Sequence, residues 1–292
     1  MKLFLIRHGE TVDNIAGIYA GVKDSQLTNF GVEQTKKLGS HFATTDVVFT
    51  HIFASPLIRA YRTAEAIRDA QQRKSNDAQP LPALEIIKVP DLIEQDFGYY
   101  EGKPFHARSS PNKAGRVSHA EIHKNDPSFV DVETKEAMSK RADNFLDSYL
   151  LPIVDSGIEP IIAVVSHGML LSTLWRRILL RIPRKALSIA PEVITARGPI
   201  VLEHLGGWSN TGCLRLHFTK QESTEQVATD DVKAITTAPV RKDFTGFTVL
   251  IVAIDSKAHL TGLKRQRGGI GSLGNDESQQ KLTSFFKKPR TG

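Results

Sequence analysis

The sequence predicts a three-layer α/β/α protein with a mostly parallel central sheet, and three observations predict it. Four short apolar runs, Leu3–Ile6, Val47–Ala54, Leu84–Val89 and Ile161–Val165, read as strands, the first of them buried on both faces. Each is followed by a loop or a stretch of helical period. Residues able to do chemistry stand just past the carboxyl ends of these runs, where open α/β sheets collect ligands.

Length and composition set the frame. The 292 residues accommodate one domain of about 200–250 residues plus an appendage. Apolar content of 40% and charged content of 24% are those of an ordinary soluble protein, and no run approaches the roughly 18 apolar residues of a membrane helix. The first strand begins at Lys2 or Leu3, which leaves no room for a cleavable signal. The single cysteine, Cys213, excludes an internal disulfide and a cysteine-based zinc site, and points to cytosol or nucleus. Residues 257–292 hold eight basic against two acidic side chains, which is the whole net charge of +6. The body is therefore neutral, and direct nucleic-acid binding is not expected of it.

The first strand ends abruptly at Arg7-His8-Gly9. A polar loop follows from Thr11 to Ser25. Thr28 is placed to cap a helix through about His41. The second strand ends at Ser55-Pro56, and the helix from Leu57 to about Gln71 carries Arg59 in its first turn, where free amides favour an anion. Arg62 follows one turn later as a structural or rim residue. The third strand delivers Glu94-Gln95-Asp96-Phe97-Gly98. Residues 103–131, rich in Ser, Pro, Asn, His and charge, read as an inserted loop over the sheet edge. Glu133 to Val154 has helical spacing, ended near Pro152; Ile161–Val165 terminates in Ser166-His167-Gly168, and a helix runs from Met169 to Leu180. Cys213 to Phe218 alternates as a further strand.

Two histidines, two arginines and a carboxylate at strand ends, with neither a Walker loop nor a His-x-x-x-His or clustered-Asp pattern, suit phosphoryl transfer through a covalent intermediate without metal or other cofactor. A neutral imidazole of His8 can attack phosphorus. Arg7 and Arg59 can hold the non-bridging oxygens, His167 can add a donor, and Glu94 is the candidate acid and base.

Leu5-Ile6-Arg7-His8-Gly9-Glu10-Thr11 resembles the signature of the histidine phosphatase (phosphoglycerate mutase-like) superfamily. Ser55-Pro56-Leu57-Ile58-Arg59-Ala60 with Thr63-Ala64, Glu94–Gly98 with Glu101-Gly102, and Val165-Ser166-His167-Gly168 resemble its later blocks, in order. Asn210-Thr211-Gly212 is similar to its closing block, so the likeness spans about residues 1–220. The resemblance implies His8 as the phosphorylated nucleophile, and Arg7, Asn14, Arg59, His167 and Gly168 around the phosphate. It implies Glu94 as proton donor and a small phosphorylated substrate. The stretch Gln95-Asp96-Phe97-Gly98 resembles the phosphatase branch; mutases carry Arg-His-Tyr-Gly there. A phosphoglycerate mutase and a scaffold that merely binds phosphate remain the alternatives.

Residues 221–256 read as a linker, with 247–254 β-rich and able to add an edge strand. Glycine and basic residues dominate 257–292, so disorder is expected there. Within it, Gln279, Leu282, Phe285 and Phe286 resemble the peptide by which replication and repair proteins bind the sliding clamp PCNA. The alternative is a short amphipathic turn that docks on its own domain. Lys264-Arg265-Gln266-Arg267 and Lys287-Lys288-Pro289-Arg290 suit nuclear import or a nucleic-acid contact.

Overall fold

A computed structural model describes residues 1–45, 47–74, 84–108, 119–154, 159–221, 242–266 and 269–276. In chain order the elements are β1 (Lys2–Arg7), α1 (Val12–Ala16), α2 (Asn29–Thr44), β2 (His51–Ala54), α3 (Ile58–Lys74), β3 (Ile86–Lys88), α4 (His119–Ile122), α5 (Lys135–Phe145), α6 (Leu151–Val154), β4 (Ile161–Ser166), α7 (Gly168–Leu180), β5 (Leu187–Ile189), α8 (Pro191–Arg197), β6 (Cys213–Lys220) and β7 (Phe247–Ser256). Seven strands form one sheet in the order β3-β2-β4-β1-β6-β7-β5. Every neighbouring pair is parallel except the two made by β6.

The period of two in the central strands builds both outer layers. In β1, Leu3 and Leu5 enter the core packed by α5, α6 and α7, while Phe4 and Ile6 enter the core packed by α2 and α3. In β4, Ile162 and Val164 face the first core and Ala163 and Val165 the second. Strands buried on both faces need an apolar residue at every position, which is why they read as unbroken runs.

Three expectations are corrected. The β-rich stretch after residue 246 is an interior strand: β7 lies between β6 and β5, and buries Phe247, Val249, Ile251 and Ile254. The edge is β5, whose three residues are too few to show a period. The helical stretch ends at Val154, near Pro152 as expected, but it is not one α-helix: a wide five-residue turn at Leu146–Leu150 separates α5 from α6. Proline lacks an N–H and crowds the carbonyl four residues back, and the widened turn accommodates both.

The third correction concerns the carboxyl-terminal segment. Residues 269–276 lie against the start of α2: Asn29 N–H donates to Leu273 O (2.9 Å), Asn275 N–H donates to Leu27 O (2.9 Å), and Thr28 bridges Gly274. In the 257–266 stretch, His259 lies beside His41, near the other end of α2, and Arg265 over Phe30. These are backbone and charge contacts to a distant part of the chain, so local composition carries no trace of them. Gln279, Leu282, Phe285 and Phe286 lie outside the described residues, as do 109–118 of the insertion and 222–241 of the linker. The described part of the insertion is anchored by Phe97, Tyr100 and Val132, with Tyr19, Tyr99 and Phe129 packed on them.

Candidate active site

Register assembles the site. β1 pairs with β4 so that Arg7 stands beside Ser166, and β2 pairs with β4 so that Ala54 stands beside Val165. One residue further on, His8, His167 and Ser55 must lie side by side past the ends of three strands. The rings of His8 and His167 are 5.1 Å apart between centroids, and His167 Nε2 lies 2.8 Å from Ser55 Oγ.

His8 is buried and oriented by its own loop. Its Nδ1 lies 2.7 Å from Gly9 O, and since a carbonyl only accepts, Nδ1 carries the proton and Nε2 keeps its lone pair. Burial first, then the charges of Arg59 and Arg7, hold its pKa well below the usual histidine range. The neighbouring backbone is equally constrained. Gly9 N–H donates to Thr63 Oγ1 (3.0 Å), and a Cβ on Gly9 would come within 2.8 Å of Thr35 Cγ2 and 2.9 Å of Gly31 O. Only glycine fits this closely against α2.

Arg59, in the first turn of α3, is almost wholly buried, yet it reaches no carboxylate within hydrogen-bonding distance among the described residues. Its Nε donates to His167 Nδ1 (3.2 Å), Nη1 to Lys23 O (2.7 Å), and Nη2 to Ala20 O and Gly21 O (2.7 Å each). A buried charge needs such acceptors to offset lost hydration. Because Nδ1 of His167 accepts from Arg59, its Nε2 carries the proton and donates to Ser55 Oγ. Burial, then Arg59, His8 and Arg7, keep the pKa of His167 well below its usual range too.

Arg7 donates from Nη1 to Trp208 O (2.6 Å), while its Nε is buried without a partner beside Gly168. An orphaned buried cationic donor, next to the first residue of a thirteen-residue helix, is a place for an anion. Glu94 stands at the same helix end. Its Oε1 accepts from Gln95 N–H (2.9 Å) and Leu170 N–H (3.0 Å), and its Oε2 from Met169 N–H (3.2 Å). Asn14 closes the other side: its Oδ1 accepts from Thr11 N–H (3.2 Å) and from Asn210 Nδ2 (3.0 Å), which also donates to His8 O (3.2 Å).

The structure brings Arg7, His8, Asn14, Arg59, Glu94, His167 and Gly168 together, but it corrects two expected roles. Arg59 donates to His167 and to three backbone carbonyls, and His167 donates to Ser55, so these groups are engaged with the protein rather than turned toward a phosphate. It adds residues that sequence reasoning left out of the site. Thr211 N–H donates to both Arg7 O (3.1 Å) and His8 O (3.2 Å) from a left-handed conformation, φ 56°. A β-branched residue there costs about 1–3 kcal/mol, a strain typical of functional sites. The signal available was the Asn210-Thr211-Gly212 block ahead of the strand at Cys213. Beside Glu94 lies a cavity of about 170 Å³ lined by Gln95, Met169 and three cations, Arg108, Lys135 and Arg176. Arg62 is elsewhere: it pairs with Glu65 (2.9 Å) and lines a cavity of about 800 Å³ between α2 and α3 that none of the gathered residues touch. Among the described residues no three His, Cys, Asp or Glu side chains are grouped to hold a metal ion.

Residues 3–191 match the family model of the histidine phosphatase superfamily, branch 1. The chain belongs to this superfamily. A Schizosaccharomyces pombe protein named as a probable phosphatase is 29% identical over 290 residues, covering 97% of this chain and 79% of that protein. A protein of Erwinia tasmaniensis named as a probable phosphoglycerate mutase is 32% identical over 180 residues, covering 61% of this chain and 75% of its own. Among solved structures, a phosphoglycerate mutase from Bacillus anthracis superposes with a TM-score of 0.51 at 22% identity, over 74% of this chain and 87% of that one. That likeness shows the fold. In this histidine phosphatase the match takes in His8, Arg59, Glu94 and His167, whereas Asn210 and Thr211 lie beyond it.

Proposed function

We propose that the protein is a phosphomonoester hydrolase that works through a phosphohistidine on His8 and needs no metal. One observation carries the reading: His8 Nδ1 lies 2.7 Å from Gly9 O, which leaves Nε2 with its lone pair, and burial beside two arginines favours the uncharged ring. The lone pair of Nε2 attacks phosphorus, the bond from phosphorus to the leaving oxygen breaks, and the Glu94 carboxyl gives that oxygen its proton. Glu94 then takes a proton from water as the water oxygen attacks phosphorus. The P–N bond breaks, which returns neutral His8 and releases phosphate. Arg7, through its unpartnered Nε, and the start of α7 stabilise the non-bridging oxygens. Arg59 supplies fixed charge to both imidazoles.

Release of phosphate from p-nitrophenyl phosphate or a phosphosugar in EDTA tests this reading, and loss of turnover on chelation sinks it. A relative named as a phosphoglycerate mutase gives the second reading its support. Against it stands Gln95-Asp96-Phe97-Gly98 after Glu94, where mutases carry another triplet. Incubation with 3-phosphoglycerate separates the two: free phosphate marks the hydrolase, the 2-isomer a mutase.

For the tail we propose that 279–286 binds the sliding clamp, on the strength of its Gln-x-x-Leu-x-x-Phe-Phe spacing. A peptide spanning 275–292 is titrated against the purified clamp, with Phe285 and Phe286 changed to alanine as control. Equal binding by the two peptides removes the assignment.

A further inference from the structure

The loop that presents His8 is tied to the chain beyond residue 208, past the family match, at three points: Thr211 N–H donates to Arg7 O and His8 O, Asn210 Nδ2 donates to His8 O (3.2 Å), and Arg265 reaches Glu10. Ser209 donates from its N–H (2.8 Å) and Oγ (2.7 Å) to the Asp255 carboxylate. Thr211, whose N–H holds Arg7 O and His8 O, has its Oγ1 2.8 Å from His259 Nε2. The third tie is ionic: Arg265 pairs with Glu10 through Nη2 and Oε2.

Glu10 is buried two residues after His8, and its other oxygen accepts from Thr28 Oγ1 (2.8 Å). A buried carboxylate without a counter-charge is costly. Here it would also repel an incoming phosphate and draw a proton onto the nucleophile, and Arg265 cancels both effects. The arginine is itself held on three sides. Its guanidinium lies 4.4 Å over the Phe30 ring, Nη1 donates to Ser272 Oγ (3.1 Å), and a Cβ on Gly271 would come 2.8 Å from Arg265 Cγ. The side chain is 35% exposed, and these contacts fix it at the rim of the fold against Glu10.

We propose that Arg265 is a positioning residue for the reaction, through which the carboxyl-terminal segment neutralises Glu10 and holds the loop that presents His8 to the phosphate. The inference rests on the reading of His8 as nucleophile. The charged groups facing His8 are Arg7 from its own strand, Arg59 from α3 and His167 from the start of α7, with Glu94 acting on both arginines. Glu10 faces α2 through Thr28 and Gln34, both uncharged, and the terminal segment through Arg265.

The test is the pH profile of kcat/KM for p-nitrophenyl phosphate, measured on the full chain. Glu10 stands two residues from His8 in the same loop, and an uncompensated negative charge there favours the protonated imidazole. Arg265→Gln is expected to lose about tenfold or more in kcat/KM and to move the acid limb up by about one pH unit. Arg265→Lys restores the limb, though not all of the rate, since ammonium lacks the fork. Glu10→Gln in the Arg265→Gln background returns the limb to its wild-type place, because no charge is left to neutralise. An acid limb unmoved in Arg265→Gln, or unmoved between that variant and the double variant, overturns the proposal. Should Arg265→Gln fail to fold, Glu10→Gln alone decides: it leaves an excess positive charge, so the limb must move down, and a fixed limb overturns the proposal. His8→Ala is run alongside. If it retains wild-type turnover, or the wild type turns over nothing, the nucleophile reading fails and this inference falls with it. If His8→Ala is dead while Glu10 and Arg265 variants behave as wild type, only this inference fails.

Discussion

The two halves of the candidate site are built by different means. Around the nucleophile, His8, Arg59 and His167 are buried, their polar atoms take up one another or backbone carbonyls, and parallel register leaves them no other place. Around Glu94, the wall is a helix end, a short aromatic anchor and the cations Arg108, Lys135 and Arg176, which reach no acid among the described residues. The first half has one arrangement of protons and charges, suited to one chemical step. The second has spare positive charge and volume, suited to choosing what is attached to the phosphate. In the proposed reading, rigid strand ends would carry the reaction, and helix ends and inserted loops the choice of substrate.

Replacing His8 by alanine is the strongest way to break the comparison. Turnover should fall by three orders of magnitude or more by our estimate, with the circular dichroism spectrum unchanged, because the covalent step has no substitute. Glu94→Gln comes next. It should slow alkyl phosphates by about 10²–10⁴, yet slow p-nitrophenyl phosphate far less, since that leaving group needs no proton. Similar losses for both substrates would mean that Glu94 matters through the amides of α7 rather than through proton transfer.

Stability against pH tests the buried half directly. Unfolded, each imidazole titrates near 6.5; folded, His8 and His167 titrate well below it. Below about pH 6.5 the unfolded chain therefore binds the extra protons, and stability falls as pH falls until the folded pKa is reached. Each of the two contributes up to about 1.4 kcal/mol per pH unit. Urea midpoints at pH 7 and 5.5 should show the loss, and His8→Gln should flatten it. The smallest effect belongs to the open half. Arg176→Gln should raise KM for 3-phosphoglycerate several-fold more than KM for glycerol 3-phosphate, which has the same skeleton without the carboxylate. Equal changes would assign Arg176 to general attraction of anions.

Much of this contrast is legible in residues. Leu3–Ile6 announces a strand buried on both faces and Ile161–Val165 a further strand, and Arg7-His8, Ser55, Glu94 and Ser166-His167 stand at strand ends, so their convergence follows from the fold class. Thr28 as a cap is equally local, and its hydroxyl accepts from Gly31 N–H as expected. The strand β7 was read, but as an edge, because sheet order depends on partners that a single strand does not specify. Arg265 and His259 were read as parts of a disordered basic tail, since their partners, Glu10 and Thr211, are remote in the chain.

By itself the sequence determined the α/β class and which residues stand at the strand ends, because periodicity and residue type are local properties. Only the tertiary structure decided which ring nitrogen of His8 is free, what holds Arg59, and that the carboxyl-terminal segment counter-charges Glu10. Proton positions and ion pairs depend on which distant groups come within 3 Å, and that is settled when the layers pack.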